Sequence, residues 1–141
     1  MQRKIKYLLP LSLLLLLTSS SVYPFEIGKG IVGALNNLPE PRLIFPITET
    51  VVLTGKTDLE FKWGGEYAVT VDHYDFRLYK GYNTVEANLL LKEQISSQLN
   101  TIKINIDKFE DGQVYTWALK QVSLGGEKSD ASFDSFKVIK K

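Results

Sequence analysis

A single histidine limits the chemistry open to this chain, and it stands in the run Asp72-His73-Tyr74-Asp75. Alternate residues of a strand share a face, so in an extended segment His73 and Asp75 point one way and Asp72 the other. One imidazole and one carboxylate are two ligands, short of the three or four protein groups that hold a zinc ion. With no cysteine and no second histidine, any Ser-His-Asp or Cys-His arrangement would have to be built on His73 alone. A solvent-facing histidine at the start of a strand is the plainer reading, and the inventory predicts a chain that is not an enzyme and carries neither metal nor cofactor. Asp107, Glu110 and Asp111 cluster their oxygens as calcium ligands do, yet they lack the internal glycine and terminal glutamate of a calcium-binding loop. Aspartates also favour such turns for local hydrogen bonding. Gly64-Gly65 and Gly125-Gly126 read as loops, because no helix follows either pair to lend its N-terminus to a phosphate.

Binding offers more. Tyr74, Phe76, Tyr115 and Trp117 alternate as core residues do, whereas Tyr67, Tyr79 and Tyr82 fall at a loop, an outward strand position and a turn. Aromatics on an accessible face stack on sugar rings or anchor a protein partner, which makes Tyr79 and Tyr82 candidate contact residues and carbohydrate a candidate ligand. Leu89-Leu90-Leu91 is a third signal, since three successive apolar side chains of a strand cannot all face one core. On an edge strand, either Leu90 or the Leu89/Leu91 pair then looks outward beside unpaired backbone groups, inviting a protein partner or a second copy by strand addition. Lys92 and Glu93 follow and discourage indiscriminate pairing. The alternative cover for this edge is a connecting loop or residues 22–41 of the same chain.

The elements that must position these residues begin after an address label. Arg3, Lys4 and Lys6 precede an eleven-residue apolar run at residues 7–17 and a small polar exit at 18–21. That run is short of the ~20 residues needed to cross a bilayer, so residues 1–21 read as a signal peptide of bacterial type, cleaved after Ser21. The expected product is exported to the periplasm or beyond and does not span the membrane. Cleavage removes three basic residues, leaving 14 Lys+Arg against 16 Asp+Glu, so the formal charge moves from +1 to −2. Nucleic acid is disfavoured as a partner, because phosphate binding needs a concentrated basic surface. Without cysteine, stability must come from packing alone, and the remaining ~120 residues suffice for one domain.

Residues 22–41 form a linker or a short helix: Ile27, Ile31, Leu35 and Leu38 recur at helical spacing, but Gly28, Gly30 and Gly33 interrupt it. From residue 42 onward, short alternating segments are divided by turn signals. The spacing predicts a first strand over 43–53 broken at Pro46, a second over 59–63, a third over 74–79, and then 88–95, 102–106, 113–123 and 132–139. Residues 89–95 are also compatible with a helix, through Leu91 and Ile95 at i,i+4.

The run Phe109-x-x-Gly112-x-x-Tyr115-x-Trp117-x-Leu119, together with Leu59-x-Phe61-x-Trp63, an aromatic third strand and Ser132-x-x-x-Phe136-x-Val138, resembles a bacterial fibronectin type III-like domain over residues 42–141. The resemblance implies an all-β fold, a seven-stranded two-sheet Greek-key sandwich with Trp63 central in the core. It departs from immunoglobulin domains, which carry an intersheet cysteine pair and a core tryptophan on the third strand. At the Gly112 corner, the Tyr115 ring is expected in the core with its hydroxyl reaching back to the backbone. Modules of this kind mostly space, display or bind, so the resemblance implies an exported surface-contact module more than any reaction.

Overall fold

The structure is a computed structural model that describes residues 38–64 and 70–141; the expected signal peptide, most of the expected linker and Tyr67 lie outside them. Period-two alternation of large apolar side chains becomes eight strands: β1 (Arg42–Phe45), β2 (Thr50–Val52), β3 (Asp58–Gly64), β4 (Val71–Lys80), β5 (Leu89–Ser96), β6 (Thr101–Asn105), β7 (Val114–Ser123) and β8 (Ser132–Ile139). They form a three-stranded sheet, β1-β3-β6, and a five-stranded sheet, β2-β8-β7-β4-β5. The segment whose propensity left helix and strand open is strand β5, antiparallel to β4.

The strand count corrects the expected seven. The first strand is two strands in different sheets: β1 pairs antiparallel with β3, whereas β2 pairs parallel with β8. Pro46 stands at the break, where it has no N–H to give to a ladder. Its carbonyl instead accepts the indole N–H of Trp117 at 2.7 Å. Two residues later Thr48 gives both its backbone N–H and its hydroxyl to Asp134 of β8, at 2.8 and 2.9 Å, and this hands the chain to the second sheet.

Between the sheets lies a core rich in rings. Phe61, not Trp63, is its centre: Phe61 meets Phe76 and Trp117 at centroid distances of 5.2 Å, Phe136 at 5.7 Å and Phe109 at 6.5 Å. Trp63 is fully buried but sits one inward position nearer the end of β3, edge-on to Tyr74 at 5.4 Å. Leu59, Ile104, Leu78, Leu119 and Val138 complete the packing.

The corner before β7 forms as its residues suggest. Gly112 takes φ +74°, a region closed to most side chains. Tyr115 is buried against Phe109 at 5.0 Å, and its hydroxyl accepts the backbone N–H of Glu110 at 2.7 Å. Tyr115→Phe keeps the ring and orphans that N–H, so we expect a loss of about 1–2 kcal/mol. Denaturant melts of the two proteins measure it, and an unchanged midpoint would remove the corner bond from the stability account.

Candidate functional site

The five-stranded sheet has one face in the core, so its pleat sends every second residue outward. Cross-strand register gathers these on the outer face: Arg77 opposite Ala118 and Lys92, Asp75 opposite Lys120, Thr116 opposite Ser135, and Ala118 opposite Phe133. Of these, Asp75, Arg77, Ala118, Lys120 and Phe133 floor a groove of about 300 Å³, walled by Lys128 on the segment before β8 and Thr84 in the loop after β4. A neighbouring depression of about 340 Å³ is bounded by Tyr82, Thr50, Glu49, Ser135 and Lys137.

Asp75 is the buried charge of this face. It is only 6% exposed, and one carboxylate oxygen accepts a 2.9 Å hydrogen bond from the Lys128 ammonium. Burial pushes its pKa up, but the hydrogen bond and charge of Lys128, aided by His73 and Lys92, outweigh burial and hold the carboxyl below the usual range. A carboxyl whose folded pKa is depressed adds stability above its unfolded pKa and loses that contribution as pH falls through the folded pKa. We therefore expect Lys128→Met to cost about 1–2 kcal/mol at neutral pH, a figure kept small because the ammonium is more than half in solvent. The deficit should shrink on acidification as Asp75 takes up a proton, which melts recorded from pH 7 to pH 3 follow directly. A deficit independent of pH would mean that Lys128 acts through its methylenes.

His73 is half-buried rather than solvent-facing. The register of β4 against β7 slips between Val71 and His73, which interrupts alternation at Asp72. Asp72 therefore does not point away from His73, as strict alternation would have it: its carboxylate lies 2.8 Å from Nδ1, while Nε2 lies 3.4 Å from Asp75. The imidazole stands between two carboxylates. Among the described residues no three His, Asp or Glu side chains gather as a metal site. The second acidic cluster is dispersed by its own contacts: Glu110 pairs with Lys80 at 2.8 Å, and Asp111 accepts the backbone N–H of Lys140 at 2.6 Å.

The three candidate contact residues separate. Tyr79 is 3% exposed, which corrects its reading as an accessible aromatic. An outward strand position is not a solvent position when a loop returns over it: the hydroxyl of Thr116, opposite Tyr79, donates to the Gly81 carbonyl at 2.6 Å and ties the loop onto the face. There the Tyr79 phenol and the Glu86 carboxylate, 3.5 Å from the guanidinium, hold Arg77 further above its ordinary pKa. Tyr82 is 78% exposed and leans toward β8 and β2, whereas Leu90, 42% exposed, lies on the edge strand β5 at the far side of the sheet. The run of three leucines is resolved by a bulge, in which Leu78 faces Leu91 and Tyr79 faces Leu89, leaving Leu90 as the extra residue. Leu91 packs on the core.

Phe133, Lys120 and Lys128 were not among the expected contact residues. Phe133 is 63% exposed, and its direction was readable: Phe136 and Val138 inward put 133, 135 and 137 outward.

No protein-family model matches the chain, and no curated protein matches it. Among solved structures, the FN1–FN3 domains of chicken CNTN1 align with a TM-score of 0.52 at 13% identity, covering 72% of this chain and 30% of that one. A computationally redesigned β-sandwich protein aligns with a TM-score of 0.53 at 9% identity, covering 73% of this chain and 97% of that one. The chain thus spans less than a third of the contactin fragment, and identities so low speak for fold alone. Two sheets, a first strand shared between them and a tyrosine corner before β7 make the described residues a fibronectin type III-like β-sandwich.

Proposed function

We propose that this protein is an exported, non-enzymatic module that works by surface contacts, with the outer face of its five-stranded sheet as the contact surface. The observation that carries the reading is that this face presents Phe133 and Tyr82 to solvent beside the lysines 92, 120 and 137, none of which has an ion-pair partner among the described residues. Exposed aromatics are costly to keep in water and characteristic of contact surfaces, and unpaired ammonium groups beside them are free to pair with an anionic ligand. The basic, apolar and small-residue order of residues 1–21 supports export. The inventory of one histidine and no cysteine supports a role without catalysis.

A photoreactive residue placed at Phe133 in the living cell tests this, with Thr57 on the opposite side of the molecule as control. Cross-links confined to Phe133, on a chain whose intact mass begins near Val22, are the expected result. An uncleaved chain in the membrane fraction, or equal labelling at both sites, would sink the reading.

A protein partner or a second copy at β5 is a further contact, supported by the exposure of Leu90 and by β5 pairing with β4 alone. Leu90→Lys should lower association measured by light scattering while leaving the melting transition in place, because Leu90 lies outside the core. Unchanged association in the folded variant would leave this edge without a docking role.

A further inference from the structure

We propose that the outer face of the five-stranded sheet holds an acidic polysaccharide, a chain of uronate-type sugars. The proposal rests on the surface-contact reading above and names its ligand class. Charge is the first argument. Arg77, Lys92, Lys120, Lys128 and Lys137 share a face whose acids are Asp75, already bonded to Lys128, Glu86, beside Arg77, and Glu49, at the Lys137 end, so cations still outnumber carboxylates there. Residues 22–141 carry a formal −2, so the excess of cations is local to this face and opposes the balance of the chain. Lysines without carboxylate partners attract anions, and the low-dielectric groove wall strengthens that attraction.

The second argument concerns what lies between the charges. Phe133, Ser135 and Lys137 alternate outward along β8 and span about 13–14 Å at ordinary strand rise. Phe133 opens one end to stacking, and Tyr82 overhangs the Ser135–Lys137 end with Thr50 and Glu49 beside it. The face therefore alternates aromatic planes with cations and hydrogen-bonding side chains. A uronate chain matches this at every residue, with apolar ring faces, hydroxyls and a carboxylate. An acidic peptide matches the charge but not the rest. Peptides that lie on sheets gain affinity by adding a strand at an edge. Here the backbone groups of β4, β7 and β8 are engaged in their own ladders, and a sheet face offers an incoming peptide no ladder to join.

Calorimetric titration of the mature protein with polygalacturonate, with dextran as a neutral sugar and with poly-glutamate as an acidic peptide, separates these ligands. We expect polygalacturonate to bind, with affinity falling as salt is added, dextran to show no binding, and poly-glutamate to bind at least about tenfold more weakly for want of stacking. Tyr82→Ala and Phe133→Ala should each weaken polygalacturonate about tenfold, and Lys120→Glu with Lys137→Glu should do so by more than about tenfold. These side chains lie outside the core, so melting transitions should match wild type; should the charge reversal disturb folding, Tyr82→Ala alone decides. Equal binding of poly-glutamate, equal binding of dextran, or no binding of polygalacturonate overturns the proposal. Cellular cross-links at Phe133 without polygalacturonate binding overturn it while the surface-contact reading stands; the absence of both overturns the two together.

Discussion

Phe61→Ala should cost roughly 4–5 kcal/mol, the upper end of what a buried ring truncation removes, and Trp63→Ala should cost less, roughly 3 kcal/mol, although tryptophan is the larger side chain. The order follows from what each ring touches. Phe61 is held by rings of three strands and the corner before β7: Phe76 on β4, Trp117 on β7, Phe136 on β8, and Phe109. Its strand is the middle one of its sheet, paired with β1 and β6, so the backbone cannot move in to fill the space. The cavity stays open, and residual cavity volume is what raises the cost. Among the described residues Trp63 has Tyr74 as its one ring neighbour, one inward position nearer the end of β3. Its indole nitrogen and the Tyr74 hydroxyl are both buried without a hydrogen-bond partner among the described residues. Removing Trp63 therefore also removes an ill-satisfied buried donor, which offsets part of the lost burial. A domain of this kind is typically held by ~5–15 kcal/mol, so Phe61→Ala leaves little or no margin. Guanidinium melts of both variants check the order. A larger loss at Trp63 would return the centre of the core to the position that the resemblance implies.

That displacement of the core centre shows where local pattern stops informing. Alternation is a property of a few consecutive residues, and it correctly divided Tyr74, Phe76 and Leu78 from Asp75 and Arg77, and Tyr115, Trp117 and Leu119 from Thr116 and Lys120. The corner motif is equally local: Gly112 and Tyr115 lie three residues apart, and the bond to Glu110 closes over five. That part of Leu89-Leu90-Leu91 faces outward was legible, because three successive leucines of a strand cannot share one face. What was hidden depends on partners far along the chain. Asp75 meets Lys128 across 53 residues, and the Gly81 carbonyl meets Thr116 across 35, so neither the buried ion pair nor the covering of Tyr79 has a local signature. Bulges hide by the same logic. A slip between Val71 and His73 turns Asp72 toward the imidazole, and nothing in Asp72-His73-Tyr74-Asp75 marks where the ladder on β7 will slip. On the outer face, lysine spacing was visible, yet the sharing of one face by Lys92, Lys120 and Lys137 follows only from the strand order β8-β7-β4-β5.

The split of the first strand was hidden for the same reason, and it yields the second large effect: Trp117→Phe should cost about 2–3 kcal/mol and loosen β2 before any other strand. Pro46 marks the place where the chain leaves the three-stranded sheet, and its carbonyl has the buried indole N–H of Trp117, 71 residues away, as its partner at 2.7 Å. Phenylalanine retains a ring against Phe61 and Phe76 but supplies no donor, so the carbonyl is left buried and unpaired beside a small cavity. A surface bond lost in this way would be replaced by water at little cost; this one is enclosed, and the full desolvation penalty applies. The disturbance enters at the crossing, so it should reach β2 first. Three residues of β2 pair with β8, and the amides that lock the segment are those of Lys137, bonded to Glu49, and Leu53, bonded to Ile139, each at 2.9 Å. Hydrogen exchange should therefore quicken at Lys137 and Leu53 by more than the global loss accounts for, while amides of the β4–β7 ladder slow or quicken only with global stability. Uniform acceleration across both sheets would show that the indole contributes bulk packing alone. Protection at Leu53 and Lys137 equal to wild type would show that Thr48 and Asp134 suffice to hold the crossing without it.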